Sequence, residues 1–258
     1  MAKLISADLT NNKLCILEYT TEINGYRYLS FEEDAFDAKI VSHTYTNIGK
    51  VVFDKPITRI GERAFEDCIS LTSVTIPDSV TTIGEKAFSG CESLREFKGK
   101  FAADSGRCLI IDGVLNAFAL GSWVTQYTIP DSVTTIGDGA FSDCKSLTSV
   151  TIGNSVTTIG EWAFSRCDSL TSVTISDSVT TIGDRAFYHC DSLTNVTIGK
   201  SVSEIGKEAF KGCNIDTIVC CPKIPPKIYD SFDKFENLIV PTGCEEAYAN
   251  SDWGQYLE

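Results

Sequence analysis

The sequence predicts an α/β solenoid: a right-handed stack of similar coils with one parallel β-sheet, short helical turns on the opposite face, and N- and C-terminal caps. The first observation is a repeat, because an Ile-Gly pair recurs every 23 residues from Ile60-Gly61 to Ile83-Gly84 and again from Ile136-Gly137 to Ile205-Gly206. Periods of this length are typical of solenoids. The second observation is that the spacing of apolar residues changes within each unit, which a single helix or strand does not produce.

Residues 72–94 show how one unit makes a coil. Val74 and Ile76 alternate with small hydroxyl residues, which is typical of a strand with one buried face. A Pro-Asp pair then favours a turn, and a second short extended piece follows. Gly84 permits a backbone bend, and residues 85–91 are predicted to form the helical turn that directs an Ala-Phe pair and a cysteine inward.

Stacking is what encloses the core, because one coil alone buries almost nothing on its two flat sides. Neighbouring strands are expected to align in parallel at about 4.8 Å per step. The strands predicted to neighbour one another in this sheet are residues 51–53, 73–76, 96–97, 126–129, 149–152, 172–175, 195–198 and 217–219.

The unit reads L-x-x-V-x-I-P-x-x-V-x-x-I-G-x-x-A-F-x-x-C, and this pattern resembles the BspA-like (Treponema-type) leucine-rich repeat. The resemblance covers the chain from about Val51 to the C-terminus and implies a leucine-rich-repeat solenoid. It also implies a surface-associated, adhesion-type protein that contacts host or extracellular-matrix proteins. Repeat families keep the framework and vary the surface, so the resemblance implies the fold more closely than the function.

The first region, residues 1–50, is predicted to be an N-terminal cap and degenerate first coil, with a hairpin around Asn24-Gly25 that pairs residues 15–19 with 26–31. Atypical terminal repeats usually shield the open end of a core.

The solenoid itself spans residues 51–220 and contains an irregular coil at 98–126. Within this coil, residues 107–111 and 114–118 flank Asp112-Gly113, which predicts a β-hairpin. The hairpin is either part of the scaffold or a partner-binding insertion.

Residues 221–258 are predicted to be a degenerate last coil and a C-terminal cap helix. A last strand at 238–241 precedes a helix at 243–249. The segment resembles the V-P-x-G-x-x-x-A-Y cap of the same family. Its apolar surface, expected to cover the last coil, comprises Ala247, Tyr248, Trp253 and Tyr256.

The charge is acidic, with a formal net charge of −13 and a pI of about 4.6. A phosphate backbone or an anionic bilayer is repelled by such a chain unless it has a local basic patch, and the lysines and arginines are scattered singly along the sequence. We therefore expect no nucleic-acid partner. Without a run of 18 apolar residues we also expect no membrane insertion, and we expect a monomer.

The localisation stays open at this level. The first residues lack the apolar core of a signal peptide, so either the protein is cytoplasmic or an export signal was removed. The resemblance implies a cell-surface or secreted protein.

Six of the eleven cysteines occupy one repeat position and are predicted to form an inward ladder of reduced, buried thiols. Parallel side chains suit disulfide torsion poorly, and ligands spread along an axis do not suit zinc. The six are Cys68, Cys91, Cys144, Cys167, Cys190 and Cys213. Cys220, Cys221 and Cys244 are expected to be the most reactive thiols.

No group of residues in the sequence has the pattern of a catalytic site. We therefore predict a non-enzymatic chain without cofactor or metal. The two histidines are His43 in the cap and His189 at a variable, solvent-facing repeat position. Aspartates fall on turns, where they are favoured for turn hydrogen bonding. The sequence contains neither a Gly-rich phosphate loop nor a nucleophile-His arrangement.

The candidate binding surface is the concave face of the sheet, where residues flanking the inward apolar positions point outward. These residues are Ser73, Thr75, Glu96, Lys98, Gln126, Thr128, Ser149, Thr151, Ser172, Thr174, Asn195 and Thr197. The surface lacks the large aromatic and Arg side chains that usually anchor hot spots, which favours weak, multivalent protein binding. The alternatives are a structural spacer in a larger assembly and a glycan-binding or glycan-processing protein.

Overall fold

Each 23-residue unit folds into one coil with two short strands, and the coils stack into a β-solenoid with parallel sheets and little helix. The computed structural model describes residues 15–21, 35–45 and 48–257. The strands of the first part of the chain are β1 (Cys15–Thr21), β2 (Ile40–Tyr45), β3 (Gly49–Phe53), β4 (Arg59–Ile60), β5 (Leu71–Thr75), β6 (Thr82–Ile83), β7 (Glu96–Lys98) and β8 (Ala102–Ala103).

The remaining strands follow in chain order, with two short strands in most coils. They are β9 (Cys108–Ile111), β10 (Val114–Phe118), β11 (Gln126–Thr128), β12 (Thr135–Ile136), β13 (Ser149–Thr151), β14 (Thr158–Ile159), β15 (Ser172–Thr174), β16 (Thr181–Ile182), β17 (Asn195–Ile198), β18 (Glu204–Ile205), β19 (Thr217–Cys220), β20 (Lys227–Ile228) and β21 (Asn237–Ile239). Helical segments of the described residues are α1 (Glu245–Ala249) and the 3-10 turns Leu120–Ser122 and Asp252–Tyr256.

Two sheets run along the C-terminal part of the solenoid. The first, which we call the concave sheet after the face predicted from the sequence, has the order β11-β13-β15-β17-β19-β21, with every pair parallel. The outer sheet has the order β8-β9-β10-β12-β14-β16-β18-β20. In the concave sheet Val150 aligns with Val173 and Val173 with Val196, so the repeat sets the register.

A ladder of phenylalanines forms the centre of the core. Phe141, Phe164, Phe187, Phe210 and Phe232 stack in succession with ring centroids 4.9 to 5.1 Å apart and interplanar angles of 2° to 9°. This spacing is close to the distance of about 4.8 Å between neighbouring strands. Each coil therefore places its ring directly on the ring of the coil before.

The glycine of the repeated Ile-Gly pair has a different role from the one predicted. A Cβ atom on Gly84 would lie 2.3 Å from the backbone nitrogen of Glu62 in the preceding coil. Glycine is needed at this position because two backbones approach closely, not because the chain bends there.

The helical turns predicted for residues 85–91 are successive tight turns. Backbone N–H groups bond to the carbonyl three residues earlier, as from Ala87 to Gly84 (3.3 Å) and from Ser89 to Lys86 (3.0 Å). Lys86 has a φ of 51°, which interrupts any right-handed helix. The solenoid prediction is confirmed, whereas these segments are turns.

The prediction of a single, continuous sheet is wrong at the N-terminal end. β1 lies between β3 and β5 and pairs antiparallel with both, so residues 51–53 do not adjoin residues 73–76. The sheet that contains these strands ends at β7, and the concave sheet begins at β11. The predicted hairpin partner of β1, residues 26–31, lies outside the described residues.

The hairpin in the irregular coil is confirmed, with β9 and β10 antiparallel around Asp112 and Gly113. Both turn residues have positive φ values, 48° and 78°, as two-residue hairpin turns require. Alternate hairpin side chains enter different cores, since Leu109 packs with the N-terminal cluster and Leu115 with the C-terminal one. The hairpin is therefore a partition within the scaffold.

The C-terminal segment packs against the last coil. Trp253 is fully buried with its ring centroid 5.4 Å from that of Phe232, and its Nε1 donates to the Pro226 carbonyl at 2.8 Å. Tyr248 is also buried, whereas Ala247 is exposed and does not belong to the apolar surface predicted for it.

Candidate functional site

The residues predicted for the concave surface that lie on the concave sheet belong to β11, β13, β15 and β17. Central residues such as Val150 and Val173 are buried, so the residues on either side point to solvent. The sequence-predicted residues that are exposed or half-buried on this sheet are Gln126, Thr128, Ser149, Thr151, Ser172, Thr174, Asn195 and Thr197. The register of the strands aligns Ser149 with Ser172 and Thr151 with Thr174.

The N-terminal members of the predicted surface have a different environment. Ser73 is only 5% exposed because β1 covers it, and its hydroxyl lies 2.7 Å from that of Thr20. Thr75 is half-buried. Glu96 and Lys98 pair with each other at 2.8 Å. Including Ser73 in the candidate surface was wrong, and Thr75, Glu96 and Lys98 lie on a different sheet from the other eight residues.

The hydroxyl residues of the concave sheet line an open depression of about 500 Å³. Its lining includes Ser149, Thr151, Ser172 and Thr174 together with Cys221 at one end. In the part of the chain that the structure describes, the hydroxyls of Thr151, Ser172 and Thr174 have no hydrogen-bond partner. They are therefore available to a ligand.

A second set of threonines serves the scaffold. The hydroxyl of Thr148 donates to the Thr125 carbonyl at 2.8 Å, and Thr171 and Thr194 make the equivalent bonds to the coil before each of them. Threonine on this solenoid thus has two roles. At the position of Thr148 it hydrogen-bonds to the preceding coil, and at strand positions such as Thr151 it faces the depression.

The thiol ladder is largely confirmed as buried. Cys91, Cys167, Cys190 and Cys213 each donate to the carbonyl of a phenylalanine in the preceding coil, at 3.0 to 3.3 Å. Burial raises the pKa of the Cys167 and Cys190 thiols well above the usual value. Cys144 is buried as well, whereas Cys68 is half-buried. That the ladder stays reduced remains a prediction.

Cys220 was expected to be reactive, and this is wrong. It is buried, and its sulfur lies 3.2 Å from the Tyr248 hydroxyl, which donates its hydrogen to the Pro222 carbonyl at 2.8 Å. Burial raises the pKa of the Cys220 thiol to about 12. Cys221 and Cys244 are half-buried.

The two histidines lie in different parts of the chain, and each has structural neighbours. His43 shares a 2.7 Å hydrogen bond with the Tyr19 hydroxyl, and burial lowers its pKa. His189 is exposed, 3.5 Å from Asp191. The described ranges contain no cluster of three or more His, Cys, Asp or Glu residues suited to hold a metal. The non-enzymatic role remains a prediction.

Two features were missed at the sequence level. Trp123 is 78% exposed and lies beside a cavity of about 210 Å³ that Glu92 and Lys145 also line. Lys200, Lys223 and Lys227 meet in one groove, although the sequence shows them singly. No signal in the repeat pattern marks either site, because both lie where the repeat is broken. Within the described residues, no helix has the length and apolar character needed to cross a membrane.

Comparisons with known proteins agree with this architecture. A family model described as the BspA type leucine rich repeat region matches six copies, over residues 39–101 and 115–239. The interval between these ranges contains β8 and β9 of the irregular coil. Comparison with curated proteins gave no match.

Solved structures share the fold. A leucine rich cell surface protein from Faecalibacterium prausnitzii is 24% identical, with a TM-score of 0.50 over 76% of this chain and 54% of that one. The pneumococcal vaccine antigen PcpA is 17% identical, with a TM-score of 0.58 over 76% of this chain and 57% of that one. This chain thus spans little more than half the length of either protein, and at these identities the likeness shows the fold alone.

The six matched copies extend over most of the chain, and the matched ranges contain the stacked strands and the buried Phe residues of the solenoid. This chain belongs to the BspA-type leucine-rich repeat family, whose repeat modules are typical of bacterial surface repeat proteins.

Proposed function

We propose that this chain is a protein-binding module whose docking surface is the hydroxyl-lined depression of the concave sheet. The observation that carries the proposal is the alignment of unpaired hydroxyls from Ser149 to Thr197 across three stacked coils. An extended partner lying across the coils meets the same chemistry every 4.8 Å or so. Many small contacts of this kind give weak, multivalent binding in place of a single anchor.

The partner class we propose is a host or extracellular-matrix protein, contacted by an adhesion-type protein at the bacterial surface. The cell-surface description of the similar Faecalibacterium prausnitzii protein supports this localisation. The net charge of −13 disfavours nucleic acid and anionic bilayers as partners. We propose that the chain acts as a monomer.

The test is capture of purified extracellular-matrix proteins and host-cell lysate proteins on immobilised chain. A concave variant carries glutamate at Ser149, Thr151, Ser172 and Thr174. A matched control carries glutamate at four exposed residues outside the depression: Ser105, Ser132, Ser192 and Thr242. We expect the concave variant to lose at least tenfold in capture and the control to match the wild type. Equal capture by both variants would refute the concave assignment.

Glycan binding is a second candidate, favoured by Trp123. A bulky residue with a φ of 53° and 78% exposure is explained neither by packing nor by backbone preference. Its ring, with Glu92 and Lys145 around the adjacent cavity, provides the mix of aromatic and polar groups found in small-molecule sites. A glycan array compared between the wild type and Trp123→Ala tests this candidate, and an unchanged array would remove it.

A further inference from the structure

The C-terminal end of the solenoid carries a groove of about 770 Å³, which is larger than the concave depression. Its lining combines apolar side chains, among them Val202 and Ile224, with Lys200, Lys223 and Lys227. This volume lies in the range of about 300 to 1,000 Å³ that is usual for ligand sites.

The charge of the groove is opposite to that of the whole chain. The turn position held by Asp131, Asn154 and Asp177 in earlier coils becomes Lys200. Lys200 is matched by Asp177, whose carboxylate it contacts at 2.6 Å. Among the described residues, Lys223 and Lys227 have no ion pair within 4 Å. Their two positive charges are therefore uncompensated in a chain of net charge −13.

The apolar part of the groove is presented rigidly. Ile224 is 82% exposed. Covering this large apolar side chain with a partner removes it from water and stabilises the complex. Pro225 and Pro226 follow directly and fix the backbone, and the residue before a proline is held extended. A partner that binds Ile224 does not have to order this loop first, which favours affinity.

We infer that this groove binds an acidic peptide segment with an aliphatic or aromatic residue among its carboxylates. The carboxylates complement Lys223 and Lys227, and the apolar residue packs on Ile224 and Pro225, which line the groove. A peptide is favoured because Cys221 lines both this groove and the concave depression, so the two adjoin and an extended chain is long enough to contact both. The inference does not rest on the concave face binding a protein.

The experiment is selection of a phage-displayed library of random dodecapeptides on the immobilised full chain, followed by fluorescence anisotropy with the most enriched peptide. We expect enriched sequences to be acidic with at least one apolar residue. The groove variant combines Lys223→Glu with Lys227→Glu, and we expect it to bind at least tenfold more weakly. Ile224→Ser tests the apolar contact separately, with an expected loss of about fivefold or more.

The matched control combines Lys55→Glu with Lys207→Glu, two exposed lysines outside the groove, and changes the net charge equally. It should bind as the wild type does, which separates loss of the two groove lysines from a general change in net charge. Melting temperatures verify that each variant is folded. Absent enrichment, enrichment without acidic bias, or full binding by the groove variant would overturn the inference. Decanoate binding that depends on Lys223 and Lys227, with no enriched peptide, would assign the groove to a fatty acid instead.

Discussion

The Nζ atom of Lys86 lies 3.6 Å from the ring centroid of Trp162, although the coil of Gly139 separates the two residues. Lys86 reaches across because Gly139 has no side chain: a Cβ there would lie 2.7 Å from the Lys86 Cγ. The guanidinium carbon of Arg185 lies 4.8 Å from the same ring centroid. The lysine side chain is only 12% exposed, and burial lowers its pKa. This contact ties the N-terminal coils to the C-terminal stack.

The first prediction is a measurable coupling between Lys86 and Trp162. A partly desolvated cation–π contact contributes about 1 to 2 kcal/mol, so Lys86→Ala and Trp162→Leu should be less destabilising together than the sum of the two alone. Urea unfolding of the single and double variants measures the coupling. Lys207→Ala, an exposed lysine, is the control and should change little. A coupling of zero would show that the contact contributes no stability.

The second prediction concerns two serines at the same repeat position. Ser73→Glu should destabilise the protein by about 3 kcal/mol or more, because it places a charge under β1 beside Thr20. Ser172→Glu should change stability by less than about 0.5 kcal/mol, because its side chain faces solvent. Thermal unfolding of both variants decides. Equal effects would mean that β1 does not cover β5.

The third prediction is selective alkylation of the native protein at pH 8, in a Cys15→Ser background. N-ethylmaleimide should react with Cys68, Cys221 and Cys244, which are half-buried. Cys220 should stay unmodified, since its pKa of about 12 keeps the thiol protonated at this pH. Peptide mass spectrometry locates the label, and unfolding should expose every cysteine. Rapid native labelling of Cys167 or Cys190 would contradict the buried ladder.

The fourth prediction contrasts two tryptophans. Trp253→Ala should cost about 3 to 5 kcal/mol, because the ring is fully buried on Phe232 at the end of the stack. Trp123→Ala should leave stability nearly unchanged, because that ring faces solvent. Removing residues 243–258 should cause aggregation or a large fall in melting temperature. A stable, monomeric truncated protein would show that the segment is not a cap.

The repeat made the coils predictable from sequence because every residue of a 23-residue unit has the same neighbours one coil away. Val150, Val173 and Val196 align as the period requires. The pairing of β1 could not be predicted in the same way. Residues 15–21 are outside the repeat, so their alternation indicates a strand and leaves its partner undetermined. The misplacement of Ser73 on the exposed surface follows from that gap.

The candidate sites likewise differ in how far the sequence predicts them, depending on whether they lie inside the regular repeat. The side chains of Thr151 and Thr174 point to solvent because buried and exposed residues alternate along their strands. The sequence shows this alternation directly. The groove of Lys223 and Lys227 depends on how the shortened last coil packs on the coil before it. Paired residues of β17 and β19 are 22 residues apart in sequence, as in Ile198 with Cys220. Paired residues of β18 and β20 are 23 apart, as in Glu204 with Lys227. Such a change of register has no sequence signature, and single lysines in the sequence do not reveal a shared groove.

Photo-crosslinking tests the central claim, that a partner lies on the concave depression, most directly. The chain carries p-benzoylphenylalanine in place of Thr174, in the depression, or in place of Thr242, an exposed residue outside it. After irradiation with the captured matrix or host protein, we predict a covalent adduct from position 174 and none from position 242. An adduct from position 242 with none from position 174 would place the partner elsewhere and contradict the account.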